Sequence, residues 1–369
     1  MNKRYNILIC PLEWGLGHAA RMIPLASRLR EMNNNVFIGA GKEHLALFRN
    51  ELPDLVCIDL PGFRPAYSKH LPQYLALLFK TPTLLYHIIR EHKRLKKIIS
   101  EFEIDIVISD NRFGLWNNKV RTVYVTHLLR IPFPRAFSFF EFIGIALHRA
   151  IINRYDFCFI PDLPGDMNVS GRLSHSVRLP VNARYIGLLS RFCGIKQEAA
   201  ESPVNYRHNT VILSGPEPQR NILKQKLSDA LSEIDIPTVF LGGMPEKAGE
   251  TTCQGNIIWF SHLPSPIMKA VIISSENIIS RSGYTTIMEL ISLNCSALLI
   301  PTPGQTEQEY LAYYLEEKGW FKSVRQKCIS KEMTLTTVKS HFSEEINRQS
   351  KALLDEALTL LLEERQDKS

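Results

Sequence analysis

Short runs of β-branched and apolar residues recur along this chain, each followed by a helical pattern, and the alternation halts at a polar gap and then starts again. Before the gap stand YNILIC, NVFIGA, DLVCIDL, IDIVIS, TVYVT and FCFIP; after it come TVILSG, TVFLGG, NIIWF, ENIIS and SALLIP. Such runs read as parallel strands buried on both faces and joined by crossover helices. At 369 residues the chain exceeds the ~250–300 at which a single core usually stops growing. The fold class expected is therefore α/β, with two doubly wound Rossmann-like domains facing each other across a cleft. The boundaries expected are an N-terminal domain over 1–190, a linker over 191–208, a second domain over 209–340 and a C-terminal helix over 341–369. The gap is rich in Gln, Glu, Ser and Asn and contains Pro203. In the closing segment Ala352, Leu353, Ala357, Leu358, Leu360 and Leu361 repeat at helical spacing.

Composition narrows the class. Hydrophobic residues make up 45% and charged residues 22%, as in a folded soluble protein. A net charge of +7 points to an anionic partner: a nucleotide, a phospholipid surface or a nucleic acid. The basic residues are dispersed and form no recognised nucleic-acid module, so nucleic acid is not expected as a partner. The seven cysteines form no close pair, which reads as reduced and structural in a cytoplasmic protein. The run after Lys3 and Arg4 is cut short by Pro11 and Glu13, so it does not read as a signal peptide. The longest apolar stretch, from Ile131 to Ile152, is interrupted by Arg135, Glu141, His148 and Arg149 and is no bilayer span.

Two loops carry the chemistry. NIISRSGYTTIMEL reads as strand, Ser282-Gly283 turn and helix, so the free amides of Tyr284, Thr285 and Thr286 stand at a helix N-terminus, where the dipole and unpaired N–H groups attract phosphate. Glu289 lies about one turn further on the same face, roughly the step from a diphosphate to its ribose. The plainer reading makes Ser-Gly a helix cap and Glu289 a solvated charge. After the first strand, PLEWGLGHAARM places Gly15 and Gly17 directly before His18. Glycines there let the backbone turn tightly and approach a ligand, and His18 at the carboxyl end of a strand is a candidate general base. Asp110 and His127 also end strands and should face the same cleft; an Asp110–His18 dyad would activate a hydroxyl. In the plainer readings His18 caps the helix and Asp110 caps the NRFGLW turn. Residues 15–20 also fit the dinucleotide fingerprint G-x-G-x-x-A, but NVFIGAGK ends without the acidic residue that would hold an adenosine ribose, although Lys42 would meet a 2′-phosphate.

Taken together, GLGHAARMIPLASRL, YIGLLSR and SRSGYTTIMEL with PTPGQTEQEYLA resemble the family 28 glycosyltransferases. The best-known member of that family adds N-acetylglucosamine to a lipid-linked cell-wall precursor. The resemblance implies the two-domain GT-B fold, with acceptor on the first domain and nucleotide sugar on the second. It also implies an inverting, metal-independent hexosyl transfer from a UDP-sugar to a hydroxyl, with no cofactor. Through it the glycine loop with His18 is the family's first motif, with Glu13 and His127 beside it. Arg191 is the basic residue after the junction glycine and Glu289 the ribose-binding acid. Gln305, Gln308 and Glu309 belong to the donor-sugar loop, and Ser214, Gly215, Arg220 and His262 complete the nucleotide-sugar set. No Asp-x-Asp pair is available to hold a metal on a diphosphate, so amides and cations such as Arg191, Arg220 or Arg281 must meet the leaving-group charge.

The chain departs from the family at Ser214-Gly215-Pro216-Glu217-Pro218, which replaces Gly-Gly-Ser-Gln-Gly. Leu128 and Leu129 replace Glu-Gln after His127, which points to a different acceptor, and Glu309 replaces a second glutamine, so the donor need not carry N-acetylglucosamine.

Residues 71–99 combine Leu75, Leu78, Leu84, Leu85, Ile88 and Ile89 with Lys80, Arg90, Lys93, Arg94, Lys96 and Lys97. That pattern suits either a packed helix with a solvated basic face or a segment lying on anionic lipid. With the aromatic run FPRAFSFFEF it raises the expectation of a lipid-linked or membrane-surface acceptor at the inner face of the cytoplasmic membrane. Two other classes fit the same architecture: a non-hydrolysing UDP-sugar epimerase, which needs carboxylates beyond Glu13 and Asp110, and a non-catalytic nucleotide-sugar or lipid sensor.

Overall fold

A computed structural model describes residues 3–64, 80–133, 139, 141–195, 200–330 and 344–363. Leu75, Leu78, residues 134–138 and 140 of the aromatic run, residues 196–199 of the gap, residues 331–340 of the expected second domain, and residues 341–343 and 364–369 of the expected C-terminal helix lie outside them.

The chain forms two seven-stranded sheets. The first contains β1 (Asn6–Cys10), β2 (Asn35–Ala40), β3 (Val56–Asp59), β4 (Ile106–Asp110), β5 (Arg121–Val125), β6 (Phe157–Ile160) and β7 (Ala183–Tyr185), in the order β3-β2-β1-β4-β5-β6-β7. Every pairing in it is parallel. The second contains β8 (Asn209–Ile212), β9 (Thr238–Leu241), β10 (Thr251–Gln254), β11 (Ile257–Phe260), β12 (Asn277–Ser280), β13 (Leu298–Leu299) and β14 (Lys322–Ser323), in the order β10-β11-β9-β8-β12-β13-β14. It is parallel except for the β10–β11 hairpin at its edge.

Both sheets reverse strand order at their centre, between β1 and β4 and between β8 and β12. A doubly wound sheet opens its ligand crevice at that point. The strands are apolar on both faces because both are covered. On β1, Ile7 and Ile9 enter one core layer with Ile106, Ile108, Val123 and Val125, while Leu8 and Cys10 enter the other with Val107 and Leu95. Burying each such aliphatic side chain contributes roughly 1.5–3 kcal/mol.

The helices bearing on the site are α1 (Leu16–Glu31), α2 (Lys42–Glu51), α3 (Thr81–Glu101), α4 (Glu141–Ile152), α5 (Arg172–His175), α6 (Gln219–Leu231), α7 (Ser265–Ile273), α8 (Tyr284–Ser292), α9 (Thr306–Glu317) and α10 (Glu344–Leu362). In α1 the residues Ala19, Met22, Ile23, Ala26 and Leu29 are buried at spacings of three and four, a one-sided apolar stripe that seats the helix on its sheet. The closing helix α10 crosses back to the first half. Its Asp355 accepts from Arg28 Nε at 2.6 Å, and its Ser350 Oγ accepts from the Leu188 amide at 3.0 Å.

Candidate active site

The glycine loop leaves β1 and enters α1 through Gly15, whose φ of +143° lies in the region that favours glycine. Gly17 serves a different need: a Cβ there would stand 3.2 Å from Thr285 Oγ1 of the opposite half. The Thr285 hydroxyl donates to the Gly17 carbonyl at 3.0 Å, so the first turn of α8 rests on the loop that carries His18.

His18 sits in the first turn of α1, with Nδ1 2.9 Å from Asp110 Oδ2. Asp110, at the end of β4, is fully buried. Arg21, one turn beyond His18 and 1% exposed, donates from Nε to Asp110 Oδ2 at 3.1 Å and from Nη2 to Oδ1. The same Nη2 lies 2.9 Å from His18 Nδ1, and Nη1 lies 3.3 Å from His127 Nδ1. Burial works against the Asp110 charge, but Arg21 and His18 outweigh it and hold the carboxyl at about 2. Burial, aided by Arg21 and opposed by Asp110, lowers the His18 pKa, which favours the neutral imidazole that a base requires. His18 Nε2 has no hydrogen-bond partner among the described residues, and the side chain keeps 21% exposure.

His127 joins the halves. Its Nε2 meets Glu307 Oε1 of α9 at 2.9 Å, and its ring stacks parallel on that of Tyr284 at 3.9 Å. The Tyr284 hydroxyl donates to the Pro161 carbonyl at 2.7 Å. Both the N-terminus of α8 and that of α9 are therefore held against the strand ends of the first sheet.

On α8, Glu289 is 6% exposed and stands 2.8 Å from Nε of Arg191, and Arg191 Nη1 is 4.0 Å from Glu51. Burial outweighs Arg191 and raises the Glu289 pKa. Neither Glu289 Oε1 nor Arg191 Nε is aligned for a hydrogen bond, and buried His262 Nε2 also has no partner among the described residues. His262 is held at about 4 by burial and by the Arg191 charge. Glu289 and Arg191 thus compensate each other as charges, while the unpartnered His262 Nε2 is a buried polar atom of the kind that folded proteins seldom leave unmatched.

The other expected residues divide in two. Ser282 Oγ donates to the Gln308 carbonyl at 2.8 Å, Gln308 Oε1 accepts from Thr302 N at 2.9 Å, and Glu309 Oε1 accepts from Gly304 N at 3.0 Å. These side chains shape the loop that starts at Pro301, with Gln305 at the head of α9. Arg220 donates to Glu217 and to the Gly243 carbonyl, beside Ser214 and Gly215, the latter at φ +89°. Arg281 is buried against the carbonyls of Gln219, Ile300 and Pro301, and burial lowers its pKa to about 10. Glu13 faces away from the dyad: it accepts from the Gly41 amide at 2.5 Å and pairs with Arg64 at 2.6 Å, bracing the glycine loop from behind.

Sequence reasoning missed Arg21 and Glu307. Arg21 was visible only as the i+3 neighbour of His18. Glu307 is one of two acidic residues in the first turn of α9 and carries no local sign of a partner on the other half.

Comparison with known proteins bears on this geometry. Residues 247–360 match the model of the glycosyltransferase family 28 C-terminal domain. A relative described as an uncharacterized glycosyltransferase, from Methanosarcina acetivorans, is 26% identical over 334 residues, 83% of this chain and 82% of the relative. Among solved structures, the glycosyltransferase SnogD from Streptomyces nogalater aligns with a TM-score of 0.59 at 14% identity, covering 98% of this chain and 100% of that one. The glycosyltransferase VinC, solved in complex with dTDP, aligns with a TM-score of 0.58 at 15% identity, covering 97% and 98%. At such identity the structural likeness establishes the fold, which is GT-B.

Proposed function

Because this chain is a glycosyltransferase of the family 28 type on a GT-B fold, we propose that it moves a sugar from a UDP-sugar to an acceptor hydroxyl in one inverting displacement that needs no metal. The observation that carries this reading is the abutment of base and cradle: Thr285, in the first turn of α8, touches Gly17, the residue before His18. A diphosphate at the α8 amides places its sugar next to the imidazole.

In the proposed reaction the acceptor hydroxyl gives its proton to His18 Nε2 while its oxygen bonds to the anomeric carbon. The bond from that carbon to the diphosphate oxygen breaks, and its electron pair leaves on the nucleoside diphosphate. Asp110, ionised at neutral pH, stabilises the imidazolium that forms. The amides of Tyr284, Thr285 and Thr286 and the α8 dipole receive the leaving-group charge. Glu289 takes the ribose hydroxyls, beside Arg191 and His262. Attack from the face opposite the leaving group inverts the anomeric centre. Since Thr285 meets Gly17 directly, the halves part to admit the donor, as hinged domains do around a cleft.

The acceptor is proposed to be apolar and to sit at a membrane surface. Trp14, Phe63, Leu84, Ile88 and Phe113 line one side of a small recess beside the glycine loop, with His87, Glu91, Asn111 and Arg112 as its polar lining. Around it Leu85, Tyr86 and Ile89 of α3 and Phe142 and Leu147 of α4 are each more than half exposed, while Lys93, Arg94, Lys96 and Lys97 are exposed on α3. Apolar and basic groups together suit an anionic interface. Among the described residues no helix is long and apolar enough to cross a membrane.

A thermal-shift series with UDP, dTDP, GDP, CMP and NAD tests the donor class, because a ligand bound only by the native state stabilises it by about 2.7 kcal/mol at a hundredfold excess over Kd. Selective stabilisation by UDP is expected. Stabilisation by dTDP alone would replace the nucleotide, and stabilisation by NAD alone would sink the transferase reading of the site.

A further inference from the structure

Arg21 belongs to neither the glycine loop nor the donor cradle, yet this cation is only 1% exposed and touches both members of the dyad. A buried guanidinium is costly unless its donors are matched. Here Nε and Nη2 fork onto the two oxygens of Asp110, Nη2 also flanks His18 Nδ1, and Nη1 reaches His127 Nδ1. Asp110 Oδ2 thus has two neighbours, Arg21 Nε at 3.1 Å and His18 Nδ1 at 2.9 Å.

Resting on the role of His18 given above, we propose that Arg21 is a positioning residue for sugar transfer: its fork fixes the Asp110 carboxylate so that Oδ2 receives the Nδ1 proton of His18, which leaves Nε2 as the nitrogen that accepts the acceptor's proton. Two arrangements compete at Nδ1. If Nδ1–H donates to Asp110, Nε2 keeps its lone pair. If Nδ1 accepts from Arg21, the ring proton sits on Nε2 and the base is disabled. Asp110, ionised, can only accept, so an unprotonated Nδ1 would set its lone pair against Oδ2 at 2.9 Å, and the first arrangement turns that repulsion into a charge-assisted hydrogen bond.

The guanidinium also sets the charge at rest. Asp110 alone would draw a proton onto His18; the cation beside it offsets that pull, in the same direction as burial. The groups around the imidazole are Asp110 from β4, Arg21 from α1, His127 after β5, Glu307 from α9 and, further off, His44 from α2. Arg21 is the permanently charged cation among them.

Nitrogen-15 NMR of the histidine side chains reads tautomer and titration without any substrate, with His18→Gln supplying the assignment. In wild type the Nδ1–H tautomer of His18 is expected. In Arg21→Met its pKa should rise by about one unit or more, and the acidic limb of UDP release from a panel of UDP-hexoses should move up with it. Arg21→Lys keeps a charge but not the fork. It should leave the pKa near wild type, mix the tautomers and lower kcat about tenfold or more with donor KM unchanged, and it carries the test if Arg21→Met fails to fold. An Nε2–H tautomer in wild type, or folded Arg21 variants with the His18 tautomer and titration unaltered, would overturn the proposal. Undiminished transfer by His18→Gln would instead remove the base role and leave the NMR outcome standing, so the two failures are separable.

Discussion

Individual side chains at this site are governed by burial, and the histidines show it most clearly. His44, His148 and His262 are each held at about 4, in every case chiefly by burial. Their unfolded pKa is ~6.5. A folded-state pKa below the unfolded one means that the native form binds fewer protons, so stability is intact above pH 6.5 and is lost as pH falls from 6.5 toward 4. Each histidine costs up to about 1.4 kcal/mol per pH unit in that window. Asp110 acts only further down, between its ordinary 3.8 and about 2, while the raised Glu289 pKa opposes the trend. Calorimetry from pH 7 to 4.5 should therefore show Tm falling below pH 6.5, and with a shallower slope in His44→Gln; a flat Tm would contradict the burial of these rings as neutral groups. The dyad was legible in the sequence because His18 and Asp110 each follow an apolar strand. The brace on Glu13 was not, since Arg64 lies far along the chain and a loop carboxylate gives no sign of its partner.

Among the elements, α10 has the clearest structural duty. It lies on the first half through Gly187, where φ is +76° and a Cβ would come within 2.3 Å of Ser350 Cα. Gly187→Ala combines a strained backbone with a clash against helix backbone and should cost about 2–5 kcal/mol. Gly194→Ala is the control, because φ there is +80° but none of the described residues stands within 4 Å; it should cost only the backbone share, roughly 1–2 kcal/mol. Equal losses in chemical denaturation would show that the α10 contact contributes little. Most strands were readable from composition, β13 within SALLIP among them, whereas β7 has three residues, β14 has two and β10 is exposed along its length, too short or too polar to leave a pattern. Where α10 docks was likewise hidden, because a helical period tells which face is apolar but not which neighbour it meets.

Across the whole molecule, the two switch points face each other, so the glycine loop with His18 and the N-terminus of α8 meet in one cleft. Helix α8 presents Thr285 to Gly17 and Tyr284 to His127, and α9 presents Glu307 to the same histidine. On the proposed function, donor binding would exchange the first of these contacts for phosphate. The contact itself was legible in the sequence only in part: the helix turn after Gly283 and the glycine loop were visible separately, but their meeting depends on how two domains are set against each other. A crystal structure with UDP tests the exchange most directly. The β-phosphate is expected within hydrogen-bond distance of the Thr285 and Thr286 amides, with Glu289 on the ribose and the Thr285–Gly17 bond broken. A UDP molecule bound elsewhere, with that bond intact, would contradict the assignment of α8 as the phosphate cradle.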